Sequence, residues 1–333
     1  MTTDRDNQRD GVLVFSENAE VLGELLTLGR QLATRLGRPL AVAAVGSNAQ
    51  ELLKEGLARG ADEVLVVAAS AGNAAVPDES IPVALCEVIR TSIPTIVLIG
   101  ATRNGADLAA RTAQFLQVPC ASSCVAMELD DAGGLRVDRR VYGGRFVSRQ
   151  LLQAAPRVAT VPPRRFPRAE NVAEPRGTSR SLSIAVPAAR LRTLSINPRS
   201  RSQVDISKAQ VIVSAGRGVK QMEDLAQLER LASTLGGVLA GSRPLTGDVD
   251  WLPVDRRIGL SGQTVKPNLY IACGISGQIE HIVGMKGART VVAINNDVKA
   301  PIHQEADYSV VGDLYEIVPA LLEACEKAKG KRT

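Results

Sequence analysis

Four places in the second half of this 333-residue chain set polar or charged side chains directly after a run of apolar, β-branched residues. Gly216-Arg217-Gly218 follows QVIVSA. Two glycines there let the backbone turn tightly against a ligand. It is not a GxGxxG fingerprint, and alone it reads equally as a plain strand-to-helix turn with a solvated or acid-paired arginine. Ser276-Gly277 follows NLYIACG and opens an apolar-periodic stretch through His281. Read as a helix start, it offers bare amides and a positive dipole end to a phosphate, with the serine hydroxyl as a further donor. Alone, Ser276 reads equally as an ordinary N-cap, and His281 as a core or solvent-edge histidine. Asn295 follows TVVAI and Asp313 follows YSVVG; each is also a residue type that caps turns and helices. Between two of these runs lies GSRPLTGDVDWLPVDRRIGLSGQTVKP, residues 241–267. It is too rich in Gly, Pro and charge for a core and reads as a long ordered loop of the functional kind. Its Arg243 and Ser261-Gly262-Gln263-Thr264 supply cationic and hydroxyl donors, unless the loop is a simple solvent excursion.

Open parallel sheets take ligands beyond the carboxyl ends of their strands, and four strand ends with such groups point to a nucleotide bearing a pyrophosphate and a ribose. The elements that must hold them alternate strand and helix. GVLVFS (11–16), PLAVAAVG (39–46), EVLVVAA (63–69) and TIVLIG (95–100) read as strands, with helices over 19–36, 49–59 and 82–91. From Val118 the pattern changes to short strands, CASSCVAMEL, GLRVDRRVY, RFVSRQLL and RVATVPP, turning at Gly133-Gly134 and Gly143-Gly144. These predict an antiparallel or mixed extension. Residues 162–198 are rich in Pro, Arg, Ser and Ala, with one strand-like island near SLSIAVPA, and read as an extended surface connection. A second series follows: strands over 209–216, 268–274, 290–295 and 308–312, VLAGS between them, and helices over 222–235, from Ser276, and over 314–327. The expected class is α/β, in two domains (1–197 and 198–333), each a mainly parallel sheet with flanking helices.

Composition agrees. At 45% hydrophobic and 23% charged the chain is globular, and its length exceeds one ordinary core. Aromatic residues are only 3%, which excludes an aromatic platform for stacking nucleic-acid bases and leaves a core of Val, Ile, Leu and Ala. The apolar stretch 81–100 contains Glu87 and Arg90, so no membrane span is predicted. The polar, acidic start MTTDRDNQRD is neither a secretory signal nor a transit peptide, and a bacterial or archaeal cytoplasm is expected. Five cysteines without a CxxC pair read as reduced, buried thiols, and two histidines far from them predict no metal centre. The net charge of +5 conceals a segment, 136–201, with 15 Arg, no Lys and 3 acids. That segment lacks a helical stripe or interleaved aromatics, and reads as a docking face or solvated loops rather than a nucleic-acid surface.

The motifs VIVSAGRGV, GSRP, IGLSGQTVKPNLYIACGISGQIEH, GMKGARTVVAINNDVKAPI and ADYSVVGDLYEIVPALL resemble, in order, those of the alpha subunits of electron-transfer flavoproteins. GADEVLV, IVLIGATRNGADLAARTAQFL and VYGGRF extend a looser likeness through the first domain. The resemblance implies a Rossmann-like FAD-binding C-terminal domain and an N-terminal domain that docks a beta subunit. It implies an electron carrier, not an enzyme, passing single electrons from acyl-CoA or other dehydrogenases, as in fatty acid β-oxidation, to an electron-transfer flavoprotein quinone oxidoreductase. By position, Arg217 and Ser242 would contact FAD, and Arg243 would lie over the isoalloxazine and favour its reduced, anionic form. The run Gly259, Leu260, Ser261, Gly262, Gln263, Thr264 would face the flavin. The family's common Gln-Thr-Gly-Lys aligns by spacing to Leu260-Ser261-Gly262-Gln263, which puts the Ser261 hydroxyl near flavin N5 and replaces the Gln and Lys. Ser276, Gly277, Gln278, Ile279, Glu280 and His281 would hold the phosphates, with Glu280 contributing backbone and His281 a donor beside the pyrimidine carbonyl. Asn295, Asp313 and Leu314 would hold the ADP portion. Two rivals remain open at this point: an electron-bifurcating complex whose beta subunit holds a second FAD and oxidises NADH, and a flavin-free nucleotide-binding module. A nicotinamide dehydrogenase fits least, without a GxGxxG or an acid–base pair.

Overall fold

The computed structural model describes residues 11–69, 78–142, 146–185 and 204–330. The chain divides into two compact units, residues 1–195 and 196–333. The expected boundary at 197/198 and the expected Gly143-Gly144 turn lie outside the described residues.

In the first unit strands and helices alternate: β1 (Val12–Phe15), α1 (Ala19–Leu36), β2 (Leu40–Ala44), α2 (Ala49–Ala58), β3 (Glu63–Ala69), α3 (Ile81–Ser92), β4 (Ile96–Gly100) and α4 (Arg103–Leu116). Caps set the helix ends. Asn18 accepts from Val21 N at 3.1 Å to start α1, Gly37 at φ 64° ends it, and Thr102 accepts from Gly105 N at 2.8 Å to start α4. After α4 come β5 (Cys120–Ala121), β6 (Cys124–Leu129), β7 (Leu135–Val141), β8 (Phe146–Leu152), β9 (Arg157–Val161) and β10 (Thr178–Ile184). The main sheet is parallel, in the order β10-β3-β2-β1-β4-β9-β5. The expectation of a separate antiparallel or mixed extension is therefore corrected in part. Only β6, β7 and β8 form an antiparallel sheet, while RVATV pairs with β4 in parallel and is buried along its whole length. Strands covered on both faces show no alternation of polar and apolar residues. The antiparallel sheet leaves Phe146 (62%) and Val147 (59%) exposed. All five cysteines are free; Cys86, Cys124 and Cys273 are buried, Cys120 and Cys325 half-buried. Burial pushes the thiols up, Cys86 to about 11 and Cys124 and Cys273 to about 12, and Cys120 in the same direction.

The second unit contains β11 (Val211–Ala215), α5 (Leu225–Thr234), β12 (Val238–Gly241), β13 (Leu269–Cys273), α6 (Ile279–Met285), β14 (Thr290–Asn295), β15 (Tyr308–Val311) and α7 (Leu314–Gly330). Its parallel sheet runs β12-β11-β13-β14-β15. The order reverses between β11 and β13, which opens a crevice beyond their carboxyl ends. One face packs Val213, Ile271 and Ile294 against Leu228 and Leu231 of α5 and Val318 of α7. The other packs Ile212, Tyr270 and Val291 against Ile258 and Met285.

Candidate functional site

A cleft of about 720 Å³ lies at that reversal point, within the size range of small-ligand and cofactor sites. The ends of β11, β12, β13 and β14 contribute, and that of β15 does not. Arg217 follows β11, Ser242 and Arg243 follow β12, Gly274 to Ser276 and Gln278 follow β13, and Asn295 closes β14. Gly259, Leu260 and Ser261 enter from the 241–267 segment, and Glu280 and His281 from α6. Pro244, Ile258 and Ile275 also line the cleft. They escape a reading of polar side chains, and their signal is only that each adjoins a residue singled out above.

Ser242 is buried, and its carbonyl accepts from Leu245 N at 3.1 Å and Thr246 Oγ1 at 3.2 Å. These bonds start a short helical turn, Pro244–Asp248, with Arg243 at its N-cap. Arg257 braces that turn, donating from Nε to Thr246 Oγ1 at 2.8 Å and from Nη2 to Thr246 O at 2.6 Å. Its own carbonyl accepts from Gln263 N at 2.8 Å. One arginine thus ties the Arg243 turn to the Ser261 loop. Arg217 and Arg243 themselves are exposed and make no ion pair among the described residues. Leu260, 67% exposed, lies at the mouth, its amide donating to Glu280 O at 2.6 Å.

The remaining sequence candidates lie off the cleft wall. Gly262 sits where a Cβ would meet Arg257 O at 2.4 Å, and Gln263 spends its side-chain amide on Asp255 O at 2.7 Å. Thr264 is exposed next to them. Asp313 accepts from Tyr315 N at 2.9 Å and heads α7, while Leu314 lies half-buried against Gly274.

The helix expected from Ser276 begins three residues later, at Ile279 with Gln278 as N-cap. Gly277 has φ +83°, a left-handed conformation that cannot continue into a right-handed helix. Gly277 is buried, and a Cβ there would lie 2.3 Å from Ile302 N. Ile302 N in turn donates to Ser276 O at 3.1 Å. A pinned loop, rather than a helix terminus, therefore presents its backbone to the cleft. Asn295 braces it from β14, donating from Nδ2 to Ile275 O at 2.8 Å and accepting from Asp297 N at 2.9 Å.

His281 is buried, and its Nε2 lies 2.7 Å from Tyr270 Oη. Its Nδ1 is buried without a hydrogen-bond partner. Burial pushes its pKa down to about 4, opposed by the Ile258 backbone, so the ring is neutral at pH 7. A neutral wall with an unmet polar atom, two exposed guanidinium groups, three serine hydroxyls and a backbone loop suits an extended, ring-bearing anion. Among the described residues no cluster of His, Cys, Asp or Glu is placed to hold a metal, and no helix is long and apolar enough to cross a membrane.

The family model of the electron transfer flavoprotein FAD-binding domain matches residues 205–286, and that of the electron transfer flavoprotein domain matches residues 12–189. The electron transfer flavoprotein subunit alpha of Thermoanaerobacterium thermosaccharolyticum is 35% identical over 97% of this chain and 96% of its own. The chain belongs to the electron transfer flavoprotein alpha-subunit family. The protein FixB of Clostridium saccharobutylicum is similarly related, 36% identical over 94% of this chain and 95% of its own. The acryloyl-CoA reductase electron transfer subunit beta of Anaerotignum propionicum is 31% identical over 97% and 94%. As an electron transfer flavoprotein alpha subunit the chain binds FAD through its C-terminal domain, and the donors of the cleft fit that ligand. The expected α/β class, with parallel sheets flanked by helices, is the observed one.

Proposed function

We propose that this chain is the FAD-holding subunit of a heterodimeric electron carrier, and that it passes single electrons from dehydrogenases, acyl-CoA dehydrogenases among them, to a quinone oxidoreductase. The observation that carries this is the cleft at the β11/β13 reversal, with Arg217 and Arg243 unpaired and His281 Nδ1 unmet. FAD, when bound, supplies the reversible redox chemistry. The chain's own residues orient it and set its charge balance. Arg243, on a turn braced by Arg257, places a positive charge where electron density arrives. Ser261 offers a hydroxyl at the flavin's reactive edge in place of the family's common threonine. Arg217, Ser242 and the Ser276–Gln278 backbone hold the phosphates, with Gly277 as the bend. Asn295 fixes that loop, and Asp313 and Leu314, at the same sheet edge, take the ADP portion.

Pairing with a beta subunit follows from the relatives named as subunits of electron-transfer complexes. In the first unit, the exposed Val147 and Leu151 (59% and 46%), on one face of β8, supply an apolar docking face on the Arg-rich segment. A second reading, an electron-bifurcating complex, draws support from the relative that serves a reductase rather than a dehydrogenase. Co-expression with the neighbouring beta subunit, followed by release and counting of cofactors, separates the readings. One FAD per heterodimer is expected for the carrier, two for bifurcation. A complex that holds no FAD, and takes none up on reconstitution, refutes both.

A further inference from the structure

The connection from β11 to α5, residues 216–224, carries Arg217 and Gly218 into the cleft. Its first half is anchored on β13: Gly216 N donates to Cys273 O at 2.8 Å, Gly218 N donates to Gly274 O at 2.9 Å, and Val219 is buried. Its second half, Lys220 to Glu223, is exposed. There one side chain from near the end of the chain holds it. Tyr315, in the first turn of α7, accepts from Lys220 N at 2.8 Å and donates to Asp224 Oδ2 at 2.5 Å. Asp224 Oδ2 accepts as well from Gln221 N at 3.1 Å. The Lys220 ammonium lies 5.0 Å from the centre of the Tyr315 ring, a cation–π distance.

Donor type fixes the direction of both bonds. A backbone N–H only donates and a carboxylate only accepts, so the phenol accepts from the one and donates to the other. The hydroxyl is thus spent on the 216–224 connection, while the backbone of the same residue serves the turn at the start of α7, where Tyr315 N donates to Asp313 Oδ1 at 2.9 Å. The two segments close on one glycine of the cleft wall. A Cβ on Gly274 would lie 2.8 Å from Gly218 Cα and 3.0 Å from Leu314 Cδ2.

We propose that Tyr315 is a positioning residue for the ADP end of the cofactor: its hydroxyl clasps the β11–α5 connection to the start of α7, and so sets the gap between Arg217 on one side and Asp313 and Leu314 on the other. Tyr315 itself is not part of the cleft wall. That this gap takes ADP rests on the function proposed above; the clasp does not. Segments held in place before the ligand arrives need not be ordered when it binds, which favours binding. Arg243 and Ser261 are tied by Arg257 instead, so loss of the tyrosine hydroxyl falls on one end of the cofactor.

Tyr315→Phe keeps the ring and its contact with Lys220 and loses only the hydroxyl. In the full chain paired with its beta subunit, the Lys220 amide of this variant is expected to exchange its hydrogen about tenfold faster, having lost its acceptor. In the complex stripped of FAD, the Kd for FAD should rise about tenfold, and the ADP concentration that half-blocks FAD uptake should rise by the same factor. Unchanged exchange at Lys220 overturns the clasp. Faster exchange with an unchanged FAD Kd overturns the positioning role, and so does a loss of FAD affinity that ADP does not share, because a general weakening of the fold has no reason to track the ADP half. A wild-type complex whose FAD uptake ADP does not compete overturns the assignment of ADP to this end, while faster exchange at Lys220 in Tyr315→Phe still upholds the clasp.

Discussion

The bend at Gly277 makes a quantitative test of how the phosphate loop is held. Gly277 and Gly236 both have left-handed backbone, φ +83° and +69°, but an added Cβ at 277 would lie 2.3 Å from Ile302 N whereas one at 236 meets nothing within 4 Å. Gly236 lies in the turn before β12, at the sheet edge opposite the cleft. Gly236→Ala should therefore cost only the left-handed penalty, about 1 kcal/mol. Gly277→Ala adds overpacking against backbone, about 1 to 3 kcal/mol, and strains the Ile302 N to Ser276 O bond, about 1 kcal/mol more. A total loss of about 3 to 5 kcal/mol is expected, part of it exchanged for displacement of the loop and so for weaker FAD binding. The single tryptophan, Trp251, packs against the second unit's core, so its fluorescence in urea reports that unit alone. Equal losses in the two variants, or an unchanged FAD Kd in Gly277→Ala, would refute the claim that close approach to Ile302 sets the loop.

Arg257→Ala should lower stability by about 2 kcal/mol through loss of two charge-assisted bonds to Thr246 and weaken FAD binding with it; Arg257→Lys should not restore either, because an ammonium cannot span Thr246 Oγ1 and O as the fork does. Calorimetry with FAD titration checks both. In the FAD-free chain, His281 folds with a pKa of about 4, below its unfolded value of about 6.5. Between those values the unfolded state binds the extra proton, so stability present above pH 6.5 is lost as pH falls toward 4, by about 3 kcal/mol. Urea midpoints from pH 7.5 to 4 should show this decline, and His281→Gln should flatten it. Arg243→Ala should lower the bound flavin's midpoint potential by about 30 mV, equivalent to about 1.4 kcal/mol for two electrons. Arg230→Ala, whose side chain pairs with Glu326 on the outer helices, should leave it unchanged in the same spectroelectrochemical titration.

The alternation of strands and helices was legible because buried parallel strands and amphipathic helices leave different periods in a sequence. Sheet membership was not. RVATV looks like its neighbours RFVSRQLL and GLRVDRRVY, yet it pairs with Ile96–Gly100, more than fifty residues earlier, and no local pattern records that partner. Three of the four strand-end sites, at Arg217, Ser276 and Asn295, were readable because topology sends the ends of parallel strands to one edge, while Asp313, the fourth, lies off the cleft wall, and Ser242 came from the family resemblance and Arg243 from the long loop. The helix start was misplaced because Ser-Gly is a sound capping signal, and only the contact with Ile302 dictates the left-handed turn at Gly277. Tyr270 looked like one more core residue in NLYIACG, since a hydrogen bond between a strand and a helix that lies across it has no sequence spacing of its own.

The cysteines bear on how such a protein ages. Reduced flavins meet oxygen and release peroxide beside the polypeptide that carries them, and sulfur is the element most exposed to that damage. Peroxide attacks thiolates, not thiols. With Cys86 at about 11 and Cys124 and Cys273 at about 12, almost none of these groups is ionised at pH 7, including the one that closes the strand leading into the flavin site. The apolar packing that builds the two cores thereby also keeps these three thiols protonated and so slow to react with peroxide.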